Sequence, residues 1–143
     1  MSVAAGLIVL FGRLIFAAFF GAIAGVAHIR GSQGMEAYAR GGGFPFPAIA
    51  GWPVGVWLMV GAISLGLGVW PDIGALMIAA FLLPAAGYFH RYWEVQDSGA
   101  KMTQTFAFWR NWLGIAGCAV MFGTFATLGP ALRFTITSPL FEF

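Results

Sequence analysis

The sequence predicts an all-α membrane protein, a bundle of four transmembrane helices, and two observations carry that prediction. The 143-residue chain is 60% hydrophobic and only 8% charged, whereas a soluble domain usually carries about a quarter charged residues. The few charges also lie between long apolar stretches: residues 41–71, 73–90 and 111–132 contain no Asp, Glu, Lys or Arg, and residues 3–29 contain only Arg13. A stretch of roughly 18 or more residues with so few charges is long enough to cross a bilayer as a helix.

The first two spans come from the apolar runs of the N-terminal half. We expect the first helix over about residues 3–28, ending at a glycine-rich breaker, and the second over about residues 48–69, after a short proline turn. Residues 33–47 form a longer connection between them. Two GxxxG patterns, at residues 21–25 and 51–55, predict close contacts between helices, because glycine lets two backbones approach each other.

The third and fourth spans are predicted over about residues 73–90 and 107–128. A short turn precedes the third span, and Asp72 in that turn is of a type that caps helix N-termini. Pro84 predicts a kink inside the third span. Residues 91–106, the most polar part of the chain, form the second longer connection.

Basic residues mark one side of this predicted bundle, which we take as a single transmembrane domain over residues 1–143. The side with the two longer connections carries Arg30, Arg40, Arg91, Lys101 and Arg110. The other side has Arg133 and, if its side chain reaches the surface, Arg13. By the positive-inside rule both long connections face the cytoplasm and both termini lie outside. A net charge of +2 spread over loop ends is not the pattern of a nucleic-acid-binding protein.

Arg13 is the most deeply placed charge of the sequence. It lies about 15 Å along the first helix at the usual rise per residue, and a charge at such a depth costs free energy. We expect its side chain to reach the outer surface or to pair with Asp72 on the same side. The functional alternative is a fixed cation for an anionic ligand or a quinone carbonyl.

Two histidines, His28 and His90, end the first and third predicted helices at the same membrane surface. Histidines in that position commonly serve as interfacial groups. A pair at equal depth would also suit the ligation of a haem or metal, or the transfer of a proton to a quinone. The sequence contains no CxxCH, HExxH or P-loop motif and no cysteine cluster, and we predict no metal site.

Further polar residues join the histidines at this surface. Arg91 and Glu94 follow His90 directly, and Arg110 and Asn111 open the fourth predicted helix. An ordinary charged loop would look similar, since exposed ion pairs contribute little. The density of aromatic and charged residues favours a structured site, so we take His28, His90, Arg91, Glu94, Arg110 and Asn111 as the candidate residues for binding a quinone or another ligand.

The order of several motifs resembles that of the DoxX-like membrane proteins over nearly the whole chain. The motifs are LFGRLIF at residues 10–16, AGVAH at 24–28, FPFP at 44–47, FHRYW at 89–93 and FWRNWL at 108–113. The resemblance implies a four-helix bundle in a prokaryotic plasma (inner) membrane and a connection with quinone-linked redox chemistry. Two positions depart from the family pattern: His28 stands where a Lys usually closes the first helix, and the region near Leu58 lacks the Glu that relatives often carry.

These observations lead to two functional hypotheses. The first is a small accessory or structural subunit of a larger membrane redox or energy-converting complex, in contact with lipid and with other membrane subunits, and without catalytic activity on its own. The second is the quinone-reducing membrane subunit of an enzyme similar to thiosulfate:quinone oxidoreductase, with quinone as its one expected cofactor. A small transporter is a weaker alternative, because transporters usually show broken helices in paired repeats.

Overall fold

The computed structural model describes all residues from 1 to 143, and they fold entirely into helices, turns and a C-terminal tail. The α-helices are α1 (Val3–Ala17), α2 (Val26–Arg30), α3 (Ser32–Gly41), α4 (Trp52–Leu67), α5 (Pro71–Pro84) and α6 (Ser98–Leu128). A π-helical segment, Ala18–Gly25, joins α1 and α2 into one continuous rod.

Four apolar helical elements form the predicted bundle, and three of them are long enough to cross a membrane. The rods Val3–Arg30, Pro71–Glu94 and Ser98–Ala131 can each cross a membrane, and α4 is a shorter apolar helix. Large apolar side chains on their outer faces are exposed, such as Ile8 at 73% and Leu113 at 74%. Surfaces of this kind face lipid rather than water. The predicted fold class, an all-α membrane bundle, is confirmed.

Glycines permit a close helix crossing between the first rod and α4. A Cβ atom on Gly21 would lie 2.8 Å from Cβ of Ala62, and one on Gly55 would lie 2.6 Å from Cγ1 of Ile29. Neither distance is compatible with a side chain at these positions. The close contact that the two GxxxG patterns predicted is therefore present. The other main pairings join α4 to α5 and α5 to α6, so neighbours along the chain are neighbours in space.

The short length of α4 creates a local problem that Arg13 solves. Its 16 residues span about 24 Å, whereas the hydrocarbon core is about 30 Å thick, so its last carbonyls end at membrane depth. Arg13 is fully buried and donates from Nε to the carbonyl of Leu65 (2.8 Å) and from Nη2 to that of Gly66 (3.1 Å). Unpaired backbone carbonyls in such a place would be costly. The expected pairing of Arg13 with Asp72, or its extension to the surface, was wrong.

The C-terminal tail closes this end of the bundle, which we call the tail end. Arg13 Nη1 donates to the carbonyl of Phe134, and Arg133 Nε donates to that of Met1. The amides of Ile136 and Thr137 both donate to the carbonyl of Gly68, which ends α4 with φ of +72°. The tail therefore ties together the helix ends that the short α4 leaves open.

Asp72 holds the last part of that tail. It is fully buried, and its Oδ2 accepts hydrogen bonds of 2.8 Å from the amides of Leu140 and Phe141. The helix α5 begins at Pro71 after Trp70, so Asp72 lies inside the first turn and its side chain does not cap the helix. The predicted capping role is corrected: the carboxylate binds the tail instead.

Two connections that we predicted as loops are partly helical. Residues 33–47 contain most of α3, and α6 begins at Ser98 rather than near residue 107. The early start of α6 has a visible cause, because Oδ1 of Asp97 accepts from the amide of Ala100 at 2.7 Å as an N-cap. The hydropathy pattern did not predict this first part of α6, because a helix that projects beyond the bilayer needs no apolar residues there.

Candidate functional site

A cavity of about 340 Å³ lies at the end of the bundle opposite the tail, which we call the cavity end. Its walls come from the first rod, α3, α5, the segment that follows α5, and α6. Eleven of its 15 lining residues are hydrophobic, among them Phe19, Phe20, Phe81 and Phe89. Four polar residues from the predicted set line it as well: His28, His90, Arg110 and Asn111.

Both π-helical segments of the protein border this cavity. Ala18–Gly25 supplies Phe19 and Phe20, and Ala85–Phe89 supplies Phe89. The second segment follows Pro84, which has no backbone N–H to continue the regular helical bonding. The predicted kink at Pro84 therefore takes the form of a widened turn. Wider turns of this kind are frequent at functional sites, because they displace side chains from the regular helical pattern.

His28 is held in one orientation by a backbone carbonyl in the turn before α4. Its Nδ1 lies 2.7 Å from the carbonyl oxygen of Ala50, and a carbonyl can only accept, so Nδ1 donates. The ring packs edge-on against Phe81 with ring centroids 5.4 Å apart. The other ring nitrogen, Nε2, has no protein partner and is not sealed from the cavity.

His90 is held in the same way by a side chain of α6. Its Nδ1 lies 2.9 Å from Oε1 of Gln104, and an amide oxygen also only accepts. Nε2 of this ring is again left without a protein partner and accessible. Each histidine thus has one nitrogen committed to the fold and one nitrogen available.

Asn111 is the most unusual polar residue of the cavity. It is only 7% exposed, yet its side-chain amide forms no hydrogen bond within the protein. The side chain of so buried a residue usually has a hydrogen-bond partner within the protein. Asp72 Oδ1 is the one fully buried side-chain polar atom without a partner, so the amide of Asn111 is accessible from the cavity that the residue lines.

Arg110 stands at the edge of the cavity without an ionic partner. The one ion pair of the structure joins Arg91 and Glu94 instead, at 3.1 Å on the surface. Arg110 also borders two open apolar surface grooves, one with Trp109 and Trp112 and one along α1. Its guanidinium is therefore free to bind a group at the mouth of the cavity.

Arg91 and Glu94 are the two predicted site residues that do not line the cavity. Arg91 uses its guanidinium for Glu94 and for the carbonyl of Gly42, at 2.8 Å. The helix ends at Phe89, and the chain then turns away through a short 3-10 turn, Tyr92–Glu94. Arg91 and Glu94 are therefore close to His90 in the sequence but do not line the cavity.

Sequence reasoning missed three residues that shape the cavity. Met35 and Tyr38 line it from α3, and the Tyr38 hydroxyl donates to the carbonyl of Phe89 at 3.1 Å. Gln104, which orients His90, lay in a predicted loop. A signal was available for Gln104, because it stands seven residues before Asn111, and a seven-residue spacing returns to the same helix face.

No group of three or more His, Cys, Asp or Glu side chains lies together in the structure.

Comparison with known families agrees with this architecture. The DoxX family model matches residues 8–91, which is more than half of the chain. The chain belongs to the DoxX family. The DoxX match covers the first three apolar helices and both histidines, whereas Arg110, Asn111 and Gln104 lie on α6 beyond it. No curated protein and no solved structure matches the chain.

Proposed function

We propose that this DoxX-family protein binds the headgroup of a membrane quinone in the cavity, as the quinone-binding membrane subunit of a larger redox assembly. The observation that carries the proposal is the side-chain amide of Asn111, which has no hydrogen-bond partner within the protein and opens onto an aromatic cavity beside two histidines. A polar group that the fold leaves without a partner can form its hydrogen bond with a ligand.

The chemistry of the walls suits a flat ring with carbonyl groups at its edges. Phenylalanine side chains provide apolar faces for the ring, and Asn111 can donate to a carbonyl oxygen. A volume of about 340 Å³ falls at the small end of the range for small-molecule sites. A headgroup fits such a volume better than a whole lipid would.

The histidines supply the proton chemistry that a quinone site needs. A quinone, when bound, supplies an acceptor for two electrons and two protons. Because Nδ1 of His28 and of His90 donates to a fixed oxygen, each ring can take up or release a proton at Nε2. The held Nδ1 proton also fixes the tautomer, as in other sites where one ring nitrogen is anchored.

Electrons would reach this site from a partner subunit that carries a redox centre. Apolar helices make up most of the chain, so an assembly is the natural place for that partner. The same reasoning supports the accessory-subunit hypothesis, which differs in needing no ligand in the cavity. Purification in mild detergent, with identification of stoichiometric partners, tests the assembly in either case.

The cavity end is proposed to face the cytoplasm of a prokaryotic plasma membrane. Basic residues at that end include Arg30, Arg40, Arg91, Lys101 and Arg110, whereas Arg133 is the exposed basic side chain of the tail end. The burial of Arg13 against carbonyls removes it from the charge balance. This distribution supports the orientation by the positive-inside rule.

The decisive experiment measures binding of a short-chain quinone to the purified protein in nanodiscs. We expect Asn111→Leu to weaken binding at least tenfold, about 1.4 kcal/mol, because the donor is lost while the volume is nearly kept. Thr127→Leu is the matched control, since Thr127 lies on α6 near the tail end and lines a different surface. It should bind like the wild type.

Two results would contradict the proposal. The first is that the wild-type protein shows no binding at high concentrations of quinone analogues with several ring types. Alternatively, Asn111→Leu could bind as tightly as Thr127→Leu, which would leave the buried amide without a role in recognition.

A further inference from the structure

A long apolar groove adjoins the cavity on the outside of the bundle, in the seam between α1 and α6. Its volume is about 760 Å³, and it shares Phe19, Phe20 and Arg110 with the cavity. It continues along α6 as far as Met121. From Arg110 to Met121 the helical rise gives about 16 Å, roughly half the thickness of the hydrocarbon core.

The groove exists because this seam is the open one of the bundle. The first rod packs on α4, α4 on α5, and α5 on α6, whereas α1 and α6 meet through a few side chains. Phe16 bridges the seam over Gly117, where a Cβ atom would lie 2.6 Å from Cζ of the ring. At Gly12 the groove is empty of protein, because a Cβ atom there would meet nothing within 4 Å.

Polarity changes sharply where groove and cavity meet. Arg110 is the one charged residue of the groove, and every other lining residue is apolar or glycine. Trp109 and Trp112 lie beside Arg110 and are 58% and 43% exposed. Exposed tryptophans mark the level of the lipid headgroups. The junction therefore lies near the membrane surface, with the groove descending into the hydrocarbon and the cavity leading inward.

We infer that the groove holds the apolar chain of the quinone whose headgroup lies in the cavity. The ligand class is then a long-chain, lipid-soluble quinone that enters sideways from the bilayer between α1 and α6. This inference rests on the proposed function, and the argument for it is the continuity of the two spaces through Phe19, Phe20 and Arg110. A phospholipid chain is the competing occupant.

Gly12→Phe tests the inference, because the new ring would fill the groove without displacing protein atoms. The control is Gly123→Phe, since a Cβ atom on Gly123 also meets nothing within 4 Å and this glycine lies beyond Met121, on a surface that shares only Val120 with the groove. Each variant is titrated in nanodiscs with two ligands, the same quinone ring without a side chain and with a long isoprenoid chain.

The wild type should bind the chain-bearing quinone at least tenfold more tightly, at equal concentration in the membrane, than the bare ring. Gly12→Phe should remove that advantage and leave the affinity for the bare ring within twofold. Gly123→Phe should change neither affinity.

The failures of the two proposals are distinguishable. If neither ligand binds the wild type, the proposed function fails, and this inference fails with it. If both ligands bind equally well and Gly12→Phe changes neither affinity, the cavity still binds a quinone ring, but the groove holds something else, such as a phospholipid chain. If Gly12→Phe weakens the binding of both ligands equally, the substitution acts through the shape of the cavity. The assignment of the quinone's apolar chain to the groove is then wrong.

Discussion

At the tail end, all three nitrogens of the buried Arg13 side chain donate to backbone carbonyls, those of Leu65, Gly66 and Phe134. At the cavity end, Asn111 is nearly as buried, but its side chain forms no hydrogen bond within the protein. His28 and His90 each leave one ring nitrogen without a partner as well. Both ends place polar side chains among apolar helices, yet they use them in opposite ways.

The difference separates polar groups that stabilise the fold from polar groups that serve a ligand. A buried donor that is fully paired inside the protein has no capacity left for anything else. A donor that the fold leaves without a partner, and that faces a cavity, keeps its hydrogen-bonding capacity for a ligand. Burial of a polar residue in a membrane bundle is thus not sufficient to indicate a site, and its remaining hydrogen-bonding capacity decides.

The largest difference between the two ends is expected in the free energy of unfolding when one arginine is removed from each end. Arg13→Leu should lower the free energy of unfolding by about 3 kcal/mol, because three carbonyls lose their donor at membrane depth. Arg110→Leu should change it by no more than about 0.5 kcal/mol, as for other substitutions away from buried networks. Denaturant unfolding in detergent micelles measures both. Equal losses would show that the two ends do not differ in this way.

A smaller effect is expected at Asp72. Asp72→Ala should cost about 2 kcal/mol, since the amides of Leu140 and Phe141 lose a charged acceptor. Amide hydrogen exchange should then become faster in residues 136–143. Asp97→Ala is the control, because Asp97 accepts one amide of α6 at the exposed cavity end. Asp97→Ala should make exchange faster only in the first turn of α6. If the amides of the tail stayed protected in Asp72→Ala, our assignment of Asp72 would be wrong.

The smallest effect is expected for Glu94, which forms an ion pair on the surface with Arg91. Glu94→Gln should change stability by at most about 0.5 kcal/mol and should leave quinone binding unchanged, because Glu94 does not line the cavity. His90→Ala, the neighbouring comparison, should reduce binding while the protein remains folded. A loss of quinone binding in Glu94→Gln would contradict the prediction, because it would show that Glu94 contributes to the site.

Part of the candidate site could be read from the sequence, because polar and aromatic residues are dense at one membrane surface. That density selected six residues, and the structure brings four of them, His28, His90, Arg110 and Asn111, to one cavity. Arg13 was selected separately, because a charge at membrane depth is costly, and in the structure it binds helix carbonyls. The sequence does not distinguish these two outcomes, because it does not show which carbonyls are left unpaired.

The sequence by itself determined the fold class, since four long apolar stretches can only be satisfied as helices in a bilayer. It also indicated a close crossing of the first rod and α4, because the space at their glycines leaves no room for a side chain. The tertiary structure alone decided that α4 is too short, that the tail closes its end, and that the seam between α1 and α6 stays open. Those features depend on contacts between residues far apart in the chain, such as Arg13 with Phe134, and local hydropathy carries no information about which distant groups meet.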